Sequence, residues 1–168
     1  MAEKVYGLNV GDKAPDFELP KEDNEPVRLS SFIGKKPVIL AFYPSDFGMM
    51  CTVEIKGLKE YYPQLKDICT LLPISTNTTY SHGNWIVALD LPFSLLSDRD
   101  GKVSRMYDVM PDPNDIAYGY LEGGRSYRCV FILDLKGVIR YKWAPEDPSL
   151  EPDYDELVRV CTELMKER

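Results

Sequence analysis

Apolar positions along the chain fall into two kinds of run. Residues 36–43 carry Pro-Val-Ile-Leu-Ala-Phe-Tyr without polar alternation, and residues 70–76 repeat the pattern more weakly. Unbroken apolar runs of this length predict strands covered on both faces. After Pro44 and a loop over residues 45–50, Cys51, Ile55, Leu58, Tyr62 and Leu65 recur at helical spacing. They predict a helix over about residues 51–66, with Pro63 placed to kink it or end it early. Shorter patterns fill the rest. Residues 16–19 alternate like a strand, residues 27–29 pair nearby, and Ser30 and Ser31 cap a short turn. Ser81 reads as the cap of a helix running to about Asp90, followed by a short strand over residues 93–96. Asp98 to Gly101 is a turn, residues 103–107 a short helix, and residues 111–124 a loop. Residues 127–133 and 138–143 are strands joined by the turn at Asp134–Gly137. A last helix carries the stripe Leu157, Val160, Cys161 and Leu164.

The order is strand, helix, strand, intervening helix, hairpin, helix. A right-handed crossover makes the first two long strands parallel, and the hairpin extends the sheet antiparallel. The expectation is an α/β chain with a thioredoxin-like fold: a central mixed β-sheet flanked by helices on both faces, as one domain over residues 1–168. Chemistry in such open sheets gathers where a central strand ends and a helix begins. In this chain that point lies between Pro44 and Cys51.

Composition narrows the function. The chain has 168 residues, 44% of them hydrophobic, enough for a core. The net charge of −7 disfavours nucleic acid and anionic membrane surfaces as partners. No secretory signal is read in residues 1–10, and the apolar runs are too short to span a bilayer. The expected location is the cytoplasm. Four cysteines and one histidine make neither a disulfide scaffold nor a zinc site, and no phosphate-binding loop appears, so no metal and no cofactor are expected. His82, beside the cap Ser81, is expected to be solvent-exposed.

Cys51 carries the chemistry. A thiol at a helix start meets unpaired backbone N–H groups and the positive end of the helix dipole, so it is expected to ionise more readily than a free cysteine. The alternative is an inert core cysteine.

The segment from Phe42 to Glu54, with Pro44 and Cys51 at the family's spacing, resembles the active site of the peroxiredoxins of the AhpC/TSA type. Further motifs follow in order: Gly11 to Leu19, Ser81-His82 with Trp85, Leu91-Pro92-Phe93 through Asp98, and Arg128 to Asp134 with Gly137 to Arg140. The resemblance is strongest to the group similar to bacterioferritin comigratory protein. It implies a thiol peroxidase in which Cys51 attacks hydrogen peroxide or an organic hydroperoxide and becomes a sulfenic acid. It also implies that Arg128 stabilises the thiolate and the leaving oxygen, and that Pro44 shields the sulfur. Glu54 is then placed to orient Arg128, or else is a solvated first-turn carboxylate.

One position departs from the family. Where its members carry a threonine or serine three residues before the cysteine, this chain has Gly48. A backbone N–H, a water or Thr52 is left to supply the missing donor, so a slow, specialised or absent peroxidase are all open. The family's helix-borne resolving position holds Lys56. Cys69, expected near the surface, and Cys161, expected in the core, are the remaining candidates for resolution, with Cys129 facing away from Arg128. The preferred cycle uses an external reductant, thioredoxin-like or a small thiol, and a homodimer is plausible by resemblance. The rival readings are a thiol–disulfide exchanger or redox sensor, and a noncatalytic partner-binding module.

Overall fold

The computed structural model describes residues 6–112 and 124–167. Most of the loop expected over residues 111–124, and half of the segment read for a secretory signal, lie outside them. A small hairpin, β1 (Glu18–Pro20) and β2 (Pro26–Arg28), pairs Leu19 with Val27. A single 3-10 turn follows at Leu29–Ser31. The two long apolar runs become β3 (Val38–Phe42) and β4 (Thr70–Ser75), joined by α1 (Met49–Leu65). Then come α2 (Thr79–Leu89), β5 (Leu96–Ser97), α3 (Lys102–Met106), β6 (Cys129–Leu133), β7 (Ile139–Trp143) and α4 (Tyr154–Met165).

Five strands form one mixed sheet in the order β5-β4-β3-β6-β7. β3 runs parallel to β4 and antiparallel to β6, so it is central and has neighbours on both sides. This is the thioredoxin-like arrangement. The missing alternation in β3 follows from its two covered faces. Val38, Leu40 and Phe42 pack with Val103, Tyr107 and the N-terminal segment around Phe17 and Leu19. Ile39 and Ala41 pack on the other face with Ile55 and Leu58 of α1, Trp85 of α2 and Leu157 of α4.

Several boundaries differ from those the pattern predicts. Pro63 does not end α1, which runs on to Leu65; the proline costs the helix its own N–H bond, and only two helical residues follow it. The N-cap of α2 is Thr78, whose hydroxyl accepts from the Ser81 N–H; the hydroxyl of Ser81 is directed elsewhere. The strand read over residues 93–96 is two residues long and later, Leu96–Ser97. Residues 93–95 are held instead by side chains, including the Glu22 carboxylate on the Leu95 N–H.

The packing of α1 on α4 depends on a missing side chain. A Cβ at Gly57 would lie 2.2 Å from the ring of Tyr154, whose hydroxyl donates to the Glu54 carbonyl at 3.3 Å. Helix propensity favours alanine over glycine by ~1 kcal/mol. Overpacking against a buried ring costs about 1–3 kcal/mol and wins. Gly57→Ala is therefore expected to lower the urea midpoint, and a rise in stability would contradict this close packing.

Candidate active site

Pro44 closes β3 and turns the chain into the loop that starts α1. Cys51 sits in the first turn of that helix, 5% exposed, on the stripe it shares with Ile55 and Leu58. The register of the sheet brings a cation to it. Cys129 pairs with Phe42, so Arg128, one residue earlier on the antiparallel strand, arrives beside the end of β3. Alternation sends Cys129 into the core of the opposite face and turns Arg128 toward α1. Its Nη2 donates to Cys51 Sγ at 3.4 Å and its Nη1 to Glu54 Oε2 at 2.7 Å. Both partners of the ion pair are buried, so the solvated alternative for Glu54 does not hold. Pro44, Gly48, Met50, Cys51, Arg125 and Arg128 line an open cavity at this point.

Burial pushes the Cys51 thiol up from its ordinary value. The Arg128 charge, an N–H from the Ser45 backbone and the Arg128 hydrogen bond pull it down, and the Glu54 charge raises it again. Burial leads, so the expectation of a readily ionised thiol is not met at Cys51. The helix start alone does not outweigh desolvation. Burial likewise raises Glu54, with Arg128 opposing.

Gly48 is the N-cap of α1, with φ −64° and ψ 147°, and no side chain caps the helix. A Cβ there would stand 3.4 Å from Cys51 Sγ and 3.3 Å from the Ser45 carbonyl. Thr52 does not take over the missing donor's place: its hydroxyl donates back to the Gly48 carbonyl at 2.7 Å. The hydrogen bond that reaches the sulfur comes from Arg128 Nη2.

The other cysteines are elsewhere. α1 carries the chain roughly 20 Å from Cys51 back across the sheet before Cys69 is reached. Cys69 is not near the surface but buried, in one core cluster with Cys161 of α4, whose thiol interacts with it electrostatically. That contact first, then burial, holds the Cys69 thiol well above its ordinary value. Burial also raises Cys129 strongly. Neither candidate for resolution is brought to Cys51. His82 is fully buried rather than exposed, and sequence reasoning did not single out its partner, Asp46. Among the described residues, no helix is long and apolar enough to cross a membrane.

The family model described as AhpC/TSA matches residues 10–142, a span that contains Pro44, Cys51, Glu54 and Arg128. A Coxiella burnetii protein named peroxiredoxin bcp is 38% identical over 141 residues, covering 81% of this chain and 88% of its own length. The chain belongs to the peroxiredoxins of the AhpC/TSA family. Peroxiredoxin 2 of Thermoplasma acidophilum is 31% identical, covering 92% of this chain and 75% of that one. The reduced 2-Cys peroxiredoxin of Plasmodium vivax superposes with a TM-score of 0.78 at 27% identity, covering 97% of this chain and 83% of that one. The activity that goes with this membership is that of a thiol-dependent peroxidase, and the noncatalytic and redox-sensor readings are not favoured.

The peroxiredoxin's thiol is poised between burial and a single guanidinium. Arg128→Met removes the stronger of the two lowering groups, so the Cys51 thiolate, followed at 240 nm, is expected to titrate at higher pH. The rate of oxidation by hydrogen peroxide at neutral pH is expected to fall at least tenfold. A variant that keeps both the titration and the rate would remove Arg128 from the chemistry.

Proposed function

We propose that Cys51 is the peroxide-reducing nucleophile, with Arg128 and Pro44 as the groups that make its displacement possible. The observation that carries this reading is the one guanidinium donating to both Cys51 Sγ and Glu54. The Cys51 thiolate attacks one oxygen of hydrogen peroxide or an organic hydroperoxide. An S–O bond forms as the O–O bond breaks, and water or an alcohol leaves after taking a proton. Negative charge moves from sulfur to the departing oxygen, and a fixed cation beside both stabilises the transition state more than the ground state. Glu54 holds the guanidinium in place by a charge-assisted bond. Pro44 limits water at the sulfur, and Arg128 Nη2 is the donor held on it.

The resulting sulfenic acid is resolved from outside. The reductant is a thioredoxin-like protein or a small thiol, which attacks the Cys51 sulfur, expels water and leaves a mixed disulfide that a second thiol reduces. Support comes from the placement of Cys69, which follows the far end of α1 and shares a core cluster with Cys161 of α4. We further take the protein to be cytoplasmic and to work as one domain. Its partner in solution is a second copy, for which the exposed Phe47, Met49 and Val53 beside the site offer a surface.

Turnover of hydrogen peroxide with dithiothreitol or thioredoxin as electron donor tests the cycle. Cys51→Ser is expected to abolish it, while Cys69→Ser and Cys161→Ser leave it unchanged. Loss of turnover in either of the latter would mean that resolution is internal.

Gly48→Thr is a second test. Its φ of −64° accepts a branched residue, and the added hydroxyl would cap α1 and face the sulfur. The second-order rate with peroxide is expected to rise by roughly tenfold or more, the lower end of what a positioned donor contributes. A folded variant with no gain would mean that another donor already does the work.

A further inference from the structure

The loop between Pro44 and Cys51 is tied down by a buried pair of polar side chains. Asp46 and His82 both have completely inaccessible side chains, and Nδ1 of the ring lies 2.7 Å from Oδ2 of the carboxyl group. The other ring nitrogen, Nε2, lies 2.9 Å from the Leu96 carbonyl. A carbonyl only accepts, so Nε2 carries a hydrogen. Asp46 meets donors at both oxygens: the Tyr43 hydroxyl at 2.7 Å on Oδ1 and the Ser81 hydroxyl at 2.9 Å on Oδ2. Every polar atom of both side chains therefore has a partner, as a buried polar pair requires.

The same residue is fixed through its backbone. The Asp46 N–H donates to Asn77 Oδ1 at 2.8 Å, and Asn77 is itself held by the hydroxyls of Ser75 and Ser97. Thus Asp46 gathers contacts from β3's end, the segment after β4, and α2. On one side of it stands Ser45, which lines the cavity beside Cys51 and accepts the Gly48 N–H at its carbonyl. On the other stands Phe47, at φ +64°, a left-handed conformation that costs an aromatic residue free energy and persists only where its surroundings impose it. Phe47 leaves its ring against Trp85, 5.9 Å between centroids.

We propose that Asp46 and His82 are positioning residues for the thiol chemistry. In this arrangement the buried Asp46–His82 pair locks the Pro44–Gly48 loop, so that Ser45 and Gly48 keep their places beside Cys51. The proposal rests on the reading of Cys51 as the reacting thiol. Neither residue touches the sulfur; both act through the loop backbone.

The test uses the reduced full-length protein. Asp46→Asn and His82→Gln each keep much of the shape and break the carboxyl–imidazole contact. Both are expected to raise the pH at which the Cys51 thiolate appears at 240 nm, and to slow oxidation by hydrogen peroxide by about ten- to a hundredfold. That is the scale of effect a small misplacement of a reacting group has. A general loss of stability would lower the unfolding midpoint without moving the thiolate titration of the folded protein. Tyr43→Phe and Ser81→Ala each delete one hydroxyl and leave the Asp46–His82 contact in place. They are expected to fold and to slow oxidation about two- to fivefold, and they decide the matter if the first two variants do not fold. Unchanged rate and titration in the folded variants would overturn the proposal. Wild-type reactivity toward peroxide separates this proposal from the peroxidase reading: without it the latter falls, whatever Asp46 does.

Discussion

One guanidinium is shared between a sulfur and a carboxylate, and all three groups are buried. This sharing is the constraint on which the site depends. A buried arginine without a counter-charge is costly, and Glu54 supplies the counter-charge at 2.7 Å. Because Glu54 stands one turn after Cys51 on α1, the helix that offers the thiol also offers the group that holds the cation. β6 has to deliver Arg128 in register with the end of β3, and the pairing of Cys129 with Phe42 does so. The sheet's topology is thus read out as a single contact of 3.4 Å at the sulfur.

The same burial acts on the thiol in both directions. It strengthens the pull of Arg128 by excluding water, and it penalises the thiolate by removing water. At Cys51 the penalty leads. On the proposed reading, the charge created on the leaving oxygen lies beside the cation, which changes that balance. A site of this kind is specialised for the displacement rather than for holding a thiolate at rest. Without a side chain at Gly48, much of the donor geometry falls to the loop backbone, and so to whatever keeps that loop still.

Much of this was legible in the chain. The unalternating run of β3 marked a central strand, the helical stripe from Cys51 marked α1, and the spacing of Pro44 to Cys51 with Arg128 marked the site. What failed to show were contacts between elements that periodicity does not encode. His82 reads as a first-turn surface residue because its partners, Asp46 and the Leu96 carbonyl, are distant in sequence. Cys69 reads as near the surface because it follows Lys66 and Asp67, yet α4 covers it through Cys161. Ser81 resembles a cap by type, but Thr78 stands at the position where the helix begins. The direction of the Cys51 shift was misjudged because the helix start is visible in sequence while the extent of burial is not.

The most direct measurement is a single turnover of the pre-reduced protein with one equivalent of hydrogen peroxide, followed by stopped flow and by intact mass with a sulfenic-acid trap. The account predicts a fast second-order phase and one trapped oxygen on Cys51, both absent in Cys51→Ser and both slowed in Arg128→Met. Oxidation no faster than that of a free thiol, or oxygen trapped on another cysteine while Cys51 stays reduced, would contradict it.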